Sequence, residues 1–160
     1  MIEWHDFFVA VAGASAALTG LIFVGISISL TKILSIGGLP DRALLSLLLL
    51  LNVLVISVLF LVPNQTLKAL GIEILIVSII TYTIIFQLDL RIFKHKQNRF
   101  KRLYTFYFVI DHAATIPFII VGFALTMGWA NGLYWVVVGT LFSIIKAVLD
   151  GWVLLVEINR

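Results

Sequence analysis

Cysteine is absent from the 160 residues, charged side chains make up only 12% of them, and proline occurs three times. Without a thiol the chain has no disulfide framework, no thiolate metal site and no cysteine nucleophile. Soluble domains ordinarily carry about 25% charged residues, so this chain is too poor in charge to belong to that class. Also missing are a glycine-rich phosphate loop, a His-x-x-x-His pair, a nucleophile elbow and any stretch long enough for a soluble substrate-binding domain. We therefore expect no enzyme, no cofactor and no metal site. The one catalytic arrangement left open is an intramembrane acid pair of Asp111 and Asp150, which nothing but their depth supports.

What fills the chain is apolar, at 62% of residues. Five stretches near the length needed to cross a bilayer run over 7–30, 43–62, 69–88, 104–128 and 133–158. The expected fold is an all-α integral membrane protein, a five-transmembrane-helix bundle forming one domain over residues 1–160. Turn chemistry separates the stretches at Gly37, Gly38, Leu39 and Pro40, at Pro63, Asn64 and Gln65, and at Ala130, Asn131 and Gly132. Only the connection over 89–103 is basic, with Arg91, Lys94, Lys96, Arg99, Lys101 and Arg102. The positive-inside rule makes that loop cytoplasmic, which places the N-terminus outside and the C-terminus in the cytoplasm. Lys32, Arg42 and Arg160 then also fall inside, against Lys68 outside. The first stretch is expected as a retained helix and not a cleaved leader, because its flank carries Glu3 and Asp6 but no Lys or Arg. The basic loop has two readings: a topology signal, or a contact for anionic lipid or a partner at about 1 kcal/mol per cation. Nucleic acid is not an expected partner of so short a tethered loop.

Polar residues inside the spans carry the functional expectation, since ionisable groups there are costly to bury. On a helix Gly139, Ser143, Lys146, Asp150 and Glu157 share an arc of roughly 60°. Lys146 and Asp150 together cost about 6 kcal/mol to insert, which the fifteen Leu, Ile, Phe and Val residues of 133–158 roughly offset, so partners in the bundle are expected for both charges. Asp111 lies about 11 Å from the inner end of its span and Asp150 about 12 Å from its own. A cluster of Lys146, Asp111 and Asp150 follows, with His112 nearby as a proton relay near neutral pH. The alternative is a purely structural ion pair. Pro117 predicts a bend in the fourth span, where Thr115, Gly122 and Thr126 lie near the face of Asp111.

The first span is rich in small residues: Ala12, Ala16 and Gly20 form two small-xxx-small steps, with Gly13 and Ala17 beside them. Such a face packs helices tightly, either within the subunit or between subunits, or lines a polar path with Ser15, Thr19, Ser27 and Ser29. Asn52 is expected to hydrogen-bond a neighbouring helix, and Lys68 and Glu73 to be solvated at the outer boundary. Glu3, His5 and Asp6 make only a low-specificity cation motif. Trp4, Trp129, Tyr134 and Trp135 fit an outer aromatic belt, Tyr104 and Trp152 an inner one.

Residues 4–30 (WHDFFVAVAGASAALTGLIFVGISISL), followed by 39–51 (LPDRALLSLLLLL), resemble the opening of a family of small bacterial multi-span proteins labelled membrane proteins or modulators of the FtsH protease. The resemblance covers mainly residues 4–65, implies a bacterial inner-membrane location and transfers no catalytic residue. Together these readings lead us to expect a multi-pass homo-oligomer in which copies of the polar fifth span surround a channel-like path for ions or protons. The rival expectation is a non-conducting accessory subunit that holds a membrane protein partner.

Overall fold

The computed structural model describes residues 4–94 and 101–155, with the side chains of 93, 94, 101–104 and 130 outside that description. Glu3, Lys96, Arg99, Glu157 and Arg160 lie outside the described residues, as do the side chains of Lys94, Lys101, Arg102 and Tyr104. Every described element is helical: α1 (His5–Ile28), α2 (Leu30–Ser35), α3 (Leu39–Leu61), α4 (Leu67–Lys94), α5 (Lys101–Thr126), a 3-10 turn (Ala130–Leu133) and α6 (Tyr134–Leu155). Five of these helices are long and apolar enough to cross a membrane, so this is a membrane protein of five candidate spans.

Local chemistry sets the ends of the helices. Gly38 takes the left-handed conformation at φ 85°, and Pro40 follows in the first turn of α3, where its missing N–H has no intrahelical partner to lose. Thr66 caps α4 by accepting the amide of Ala69 on its hydroxyl at 3.2 Å. At the end of α5, Gly128 has φ 80°, its N–H donates to the Leu125 carbonyl at 3.0 Å, and Trp129 N–H donates to Ala124 at 2.8 Å. That pair of bonds is a Schellman closure.

Two boundaries differ from the pattern in the sequence. The first apolar stretch breaks at Ser29, and the six-residue α2 beyond it buries Ile33 against Ala43 and Leu154. The basic segment is more helical than a loop over 89–103, because Leu88 and Ile92 join the core and carry α4 through to Lys94.

Helices α3, α4, α5 and α6 pack in a ring, each against the next, and α1 lies outside on the edge between α3 and α6. Only 17% of the apolar window of α1 is buried, against 50% for α3. Helices α4 and α5 approach backbone to backbone at Gly71 and Gly122. A Cβ on Gly71 would lie 2.6 Å from the Thr126 amide, and one on Gly122 would lie 2.8 Å from the Leu75 amide. Gly139 of α6 likewise admits the Phe118 ring. The interior has two unlike halves. Phe8, Val53, Ile56, Phe60, Leu70, Ile74, Phe118, Val121, Leu125, Leu133 and Val136 fill one with apolar side chains. The other half lies toward the end where α4 finishes and α5 begins, which we term the basic end, and it contains the buried charges.

Candidate functional site

Each helix of the ring sends at least one ionisable side chain into the basic half of the interior. α3 supplies Arg42, α4 Asp89, α5 Asp111 and His112, and α6 Lys146 and Asp150. Helical spacing does the local work: Lys146 and Asp150 are i and i+4 on one face, and Tyr107 and Asp111 repeat that spacing on α5.

Lys146, only 1% exposed, occupies the centre. Its Nζ lies 3.0 Å from Asp111 Oδ1 and donates a hydrogen bond to Asp150 Oδ2. The second oxygen of Asp150 faces the Arg42 guanidinium at 3.6 Å. Arg42 in turn lies over the Tyr107 ring, its Cζ 4.2 Å from the centroid, and Lys146 Nζ is 5.2 Å from the same ring. Tyr107 is thus flanked by two cations, a favourable arrangement for its π face.

His112 and Asp89 form a second pair, with Nδ1 and Oδ2 3.8 Å apart. The imidazole stacks on Phe108 with centroids 4.0 Å apart, and Tyr82 and Phe86 present edges to it. Nδ1 lies 2.8 Å from the Phe108 carbonyl, which can only accept, so the proton is assigned to Nδ1. His112 Nε2 is left buried without a hydrogen-bond partner. A cavity of about 20 Å³ lies between the two groups, lined by Arg42, Asp89, Tyr107, Asp111 and Lys146 among others.

Charge counting gives the chemistry. Among the described residues, Asp89, Asp111 and Asp150 face two basic side chains, Arg42 and Lys146, so the carboxylates outnumber these partners by one. An uncompensated charge is costly away from water. A proton on a carboxylate, or one bound monovalent cation, would complete the balance.

The Lys146, Asp111 and Asp150 cluster expected from the spacing is brought together, with His112 beside it. Ser143 lies one turn away, buried, its hydroxyl 3.4 Å from the Ala114 carbonyl. The polar face of α6 points into its own subunit: Gly139, Ser143, Lys146 and Asp150 are buried, whereas Leu141, Phe142, Ile145, Val148, Leu149 and Trp152 are exposed. A pore formed between copies by that stripe is thus not what the fold offers, because α3, α4 and α5 already cover it.

The small-residue face of α1 is likewise placed differently from a packing face within the subunit. Gly13, Ala16, Ala17 and Gly20 are exposed, Ala12 is partly so, and a Cβ at Gly13 or Gly20 would meet open space. Nor does α1 line a polar path, since Ser15, Thr19 and Ser27 donate to carbonyls of their own helix at 2.7–2.8 Å. Asn52 is buried, with Oδ1 unpartnered. Glu73 accepts a 2.5 Å hydrogen bond from Gln65, and Lys68 is exposed. Arg91 is exposed at the basic end.

Comparison with protein-family models, curated proteins and solved structures found no match to the chain. Function therefore rests on the site itself. Sequence reasoning missed three of its members, Arg42, Asp89 and Tyr107. A signal for Asp89 was present: it lies four residues after Ile85 and three before Ile92, on a face whose apolar members are buried.

Proposed function

We propose that the protein moves protons or small ions across the bacterial inner membrane, using the buried charges inside each subunit as the carrier site, with the basic end in the cytoplasm. The observation that carries this reading is the charge count among the described residues: three carboxylates against the basic side chains of Arg42 and Lys146, contributed by four different helices. A network that only held helices together has no need of an unbalanced charge. The small cavity and the partly exposed Arg42 and His112 support access to the site from the basic end, which this reading takes as cytoplasmic.

The other half of the bundle closes the route. Phe118 fills the space beside Gly139, and the apolar layer around it excludes water between the charges and the outer face. Transport then requires that layer to open. Pro117, immediately before Phe118 and unable to donate to the Ala113 carbonyl, is where α5 bends most easily.

Flux into liposomes under imposed ion and pH gradients tests the reading. Wild type is expected to pass protons or one ion, and Asp150→Asn to change that flux at equal reconstitution. A folded wild type that passes nothing rules the reading out. One observation favours a second function. The uncovered small-residue face of α1, with open space at Gly13 and Gly20, suits a non-conducting accessory subunit that holds a membrane protein partner, in keeping with the resemblance to modulators of the FtsH protease. Leu at Ala16 or Gly20 would then abolish partner capture, while neutral substitutions in the charged cluster would alter stability alone.

A further inference from the structure

We propose that the cavity between the two charged groups holds one water molecule, which passes protons between Asp89 and Asp111 and makes the proton, not a metal cation, the species this site handles. The inference rests on the transport reading above and names its substrate.

Its volume of about 20 Å³ has room for one water. Such a water needs two to four polar partners. The walls contain them: Arg42 Nη2, Asp89 Oδ2 and Asp111 Oδ1 are buried atoms without an aligned hydrogen bond inside the protein, although Asp111 Oδ1 keeps its ion-pair contact with Lys146. Asp111 is 1% exposed and Asp89 7%, so bulk water does not satisfy them. A metal cation in the same space would have Asp89 and Asp111 beside it, but the basic side chains of Arg42 and Lys146 line it too and would oppose its entry. Water has no such conflict, and its oxygen accepts from Arg42 while its hydrogens reach the carboxylates.

The transfer balances without a co-reactant. An O–H bond on protonated Asp89 breaks as its proton passes to the water, and one water proton passes to Asp111 Oδ1, forming an O–H bond there. The water is returned unchanged. With Asp111 neutral, Lys146 keeps only Asp150, which Arg42 also faces, so arrival of the proton redistributes the pairing across α3, α5 and α6. The ionisable groups facing the water are Arg42 from α3, Asp89 from α4, Tyr107 and Asp111 from α5 and Lys146 from α6, with His112 and Asp150 behind them.

Two variants interrupt the relay differently. Asp89→Asn removes a proton-accepting carboxylate, whereas Ile92→Phe adds bulk at a residue lining the cavity and leaves every charge in place. Both are first checked against wild type for thermal midpoint and elution volume in detergent. Proton entry is followed with a pH-sensitive dye sealed in liposomes, with Na⁺ or K⁺ on either side. The proposal expects wild-type entry that ignores Na⁺ and K⁺ and falls roughly a hundredfold in both folded variants. Entry unchanged in both overturns the relay while leaving transport standing, and entry that requires Na⁺ or K⁺ overturns the proton assignment. If wild type passes nothing, the transport reading fails and the water link is judged alone, by infrared titration of the protonated Asp111 carboxyl band, assigned by its loss in Asp111→Asn. A titration midpoint displaced by Ile92→Phe supports the link; an unmoved midpoint overturns it.

Discussion

Lys146 is the pivot of the interior charges, because both Asp111 and Asp150 meet its side-chain nitrogen, while Asp150 also faces Arg42 at 3.6 Å. Replacing it by Met keeps the bulk of the stem, strands Asp111 and leaves Asp150 facing Arg42 alone. The expected cost is about 3–5 kcal/mol, the scale for breaking a buried pair from one side. Adding Asp111→Asn to Lys146→Met removes one stranded charge and should recover part of that loss, through a coupling of about 0.5–3 kcal/mol. Unfolding in mixed detergent, for both single variants and the double, measures it. A Lys146→Met protein as stable as wild type would mean that the ammonium is not the partner of either acid. How legible was this site? The stripe on α6 could be read from spacing alone, because charges in the middle of an apolar run have no innocent explanation. Arg42 and Asp89 escaped because both lie near the ends of their runs, where a charge ordinarily faces water. The packing of α3 and α4 turns them inward; for Asp89 the spacing from Ile85 and Ile92 hinted at it, whereas Arg42 has no such pattern on its own helix.

Among the helices, small residues mean different things in different places. On α4 and α5, Gly71 and Gly122 sit where backbone meets backbone, and a methyl on either would collide with main-chain atoms. On α1, Gly13 and Gly20 border nothing within the subunit. Gly122→Ala should therefore destabilise the bundle by about 1–3 kcal/mol through overpacking. Gly13→Ala and Gly20→Ala should leave it unchanged or gain up to about 1 kcal/mol from the lower backbone entropy of the unfolded chain. Thermal midpoints of the three variants in one detergent decide the matter. If Gly20→Ala costs as much as Gly122→Ala, then α1 is covered in the native assembly. The sequence pattern for tight packing was stronger on α1 than on α4 or α5, yet α1 is the peripheral helix. Small-xxx-small spacing records the ability to approach closely, while the partner is chosen by the ring as a whole.

Across the molecule the asymmetry of the interior has meaning only with respect to the two faces of the membrane. The five spans were legible because each apolar run outlasts the thickness of the hydrocarbon core, and the apolar outward faces of α1, α4 and α6 match lipid without cost. Their orientation depends on the basic residues of 89–103, which topology rules place in the cytoplasm. If so, the charged half of the bundle is the inner half and the Phe118 layer the outer one. Because the chain has no native cysteine, single introduced thiols report the topology without background. Ser35 is exposed in α2 at the basic end, and Asn131 is exposed in the 3-10 turn at the opposite end. A membrane-impermeant maleimide applied to intact spheroplasts should label Asn131→Cys at once and Ser35→Cys only after permeabilisation. The reverse pattern would put the charged half next to the periplasm and the apolar layer next to the cytoplasm. On the proposed transport reading the cluster would then be loaded from the periplasm, so the direction of transport, and not only the drawing of the fold, depends on which thiol reacts first.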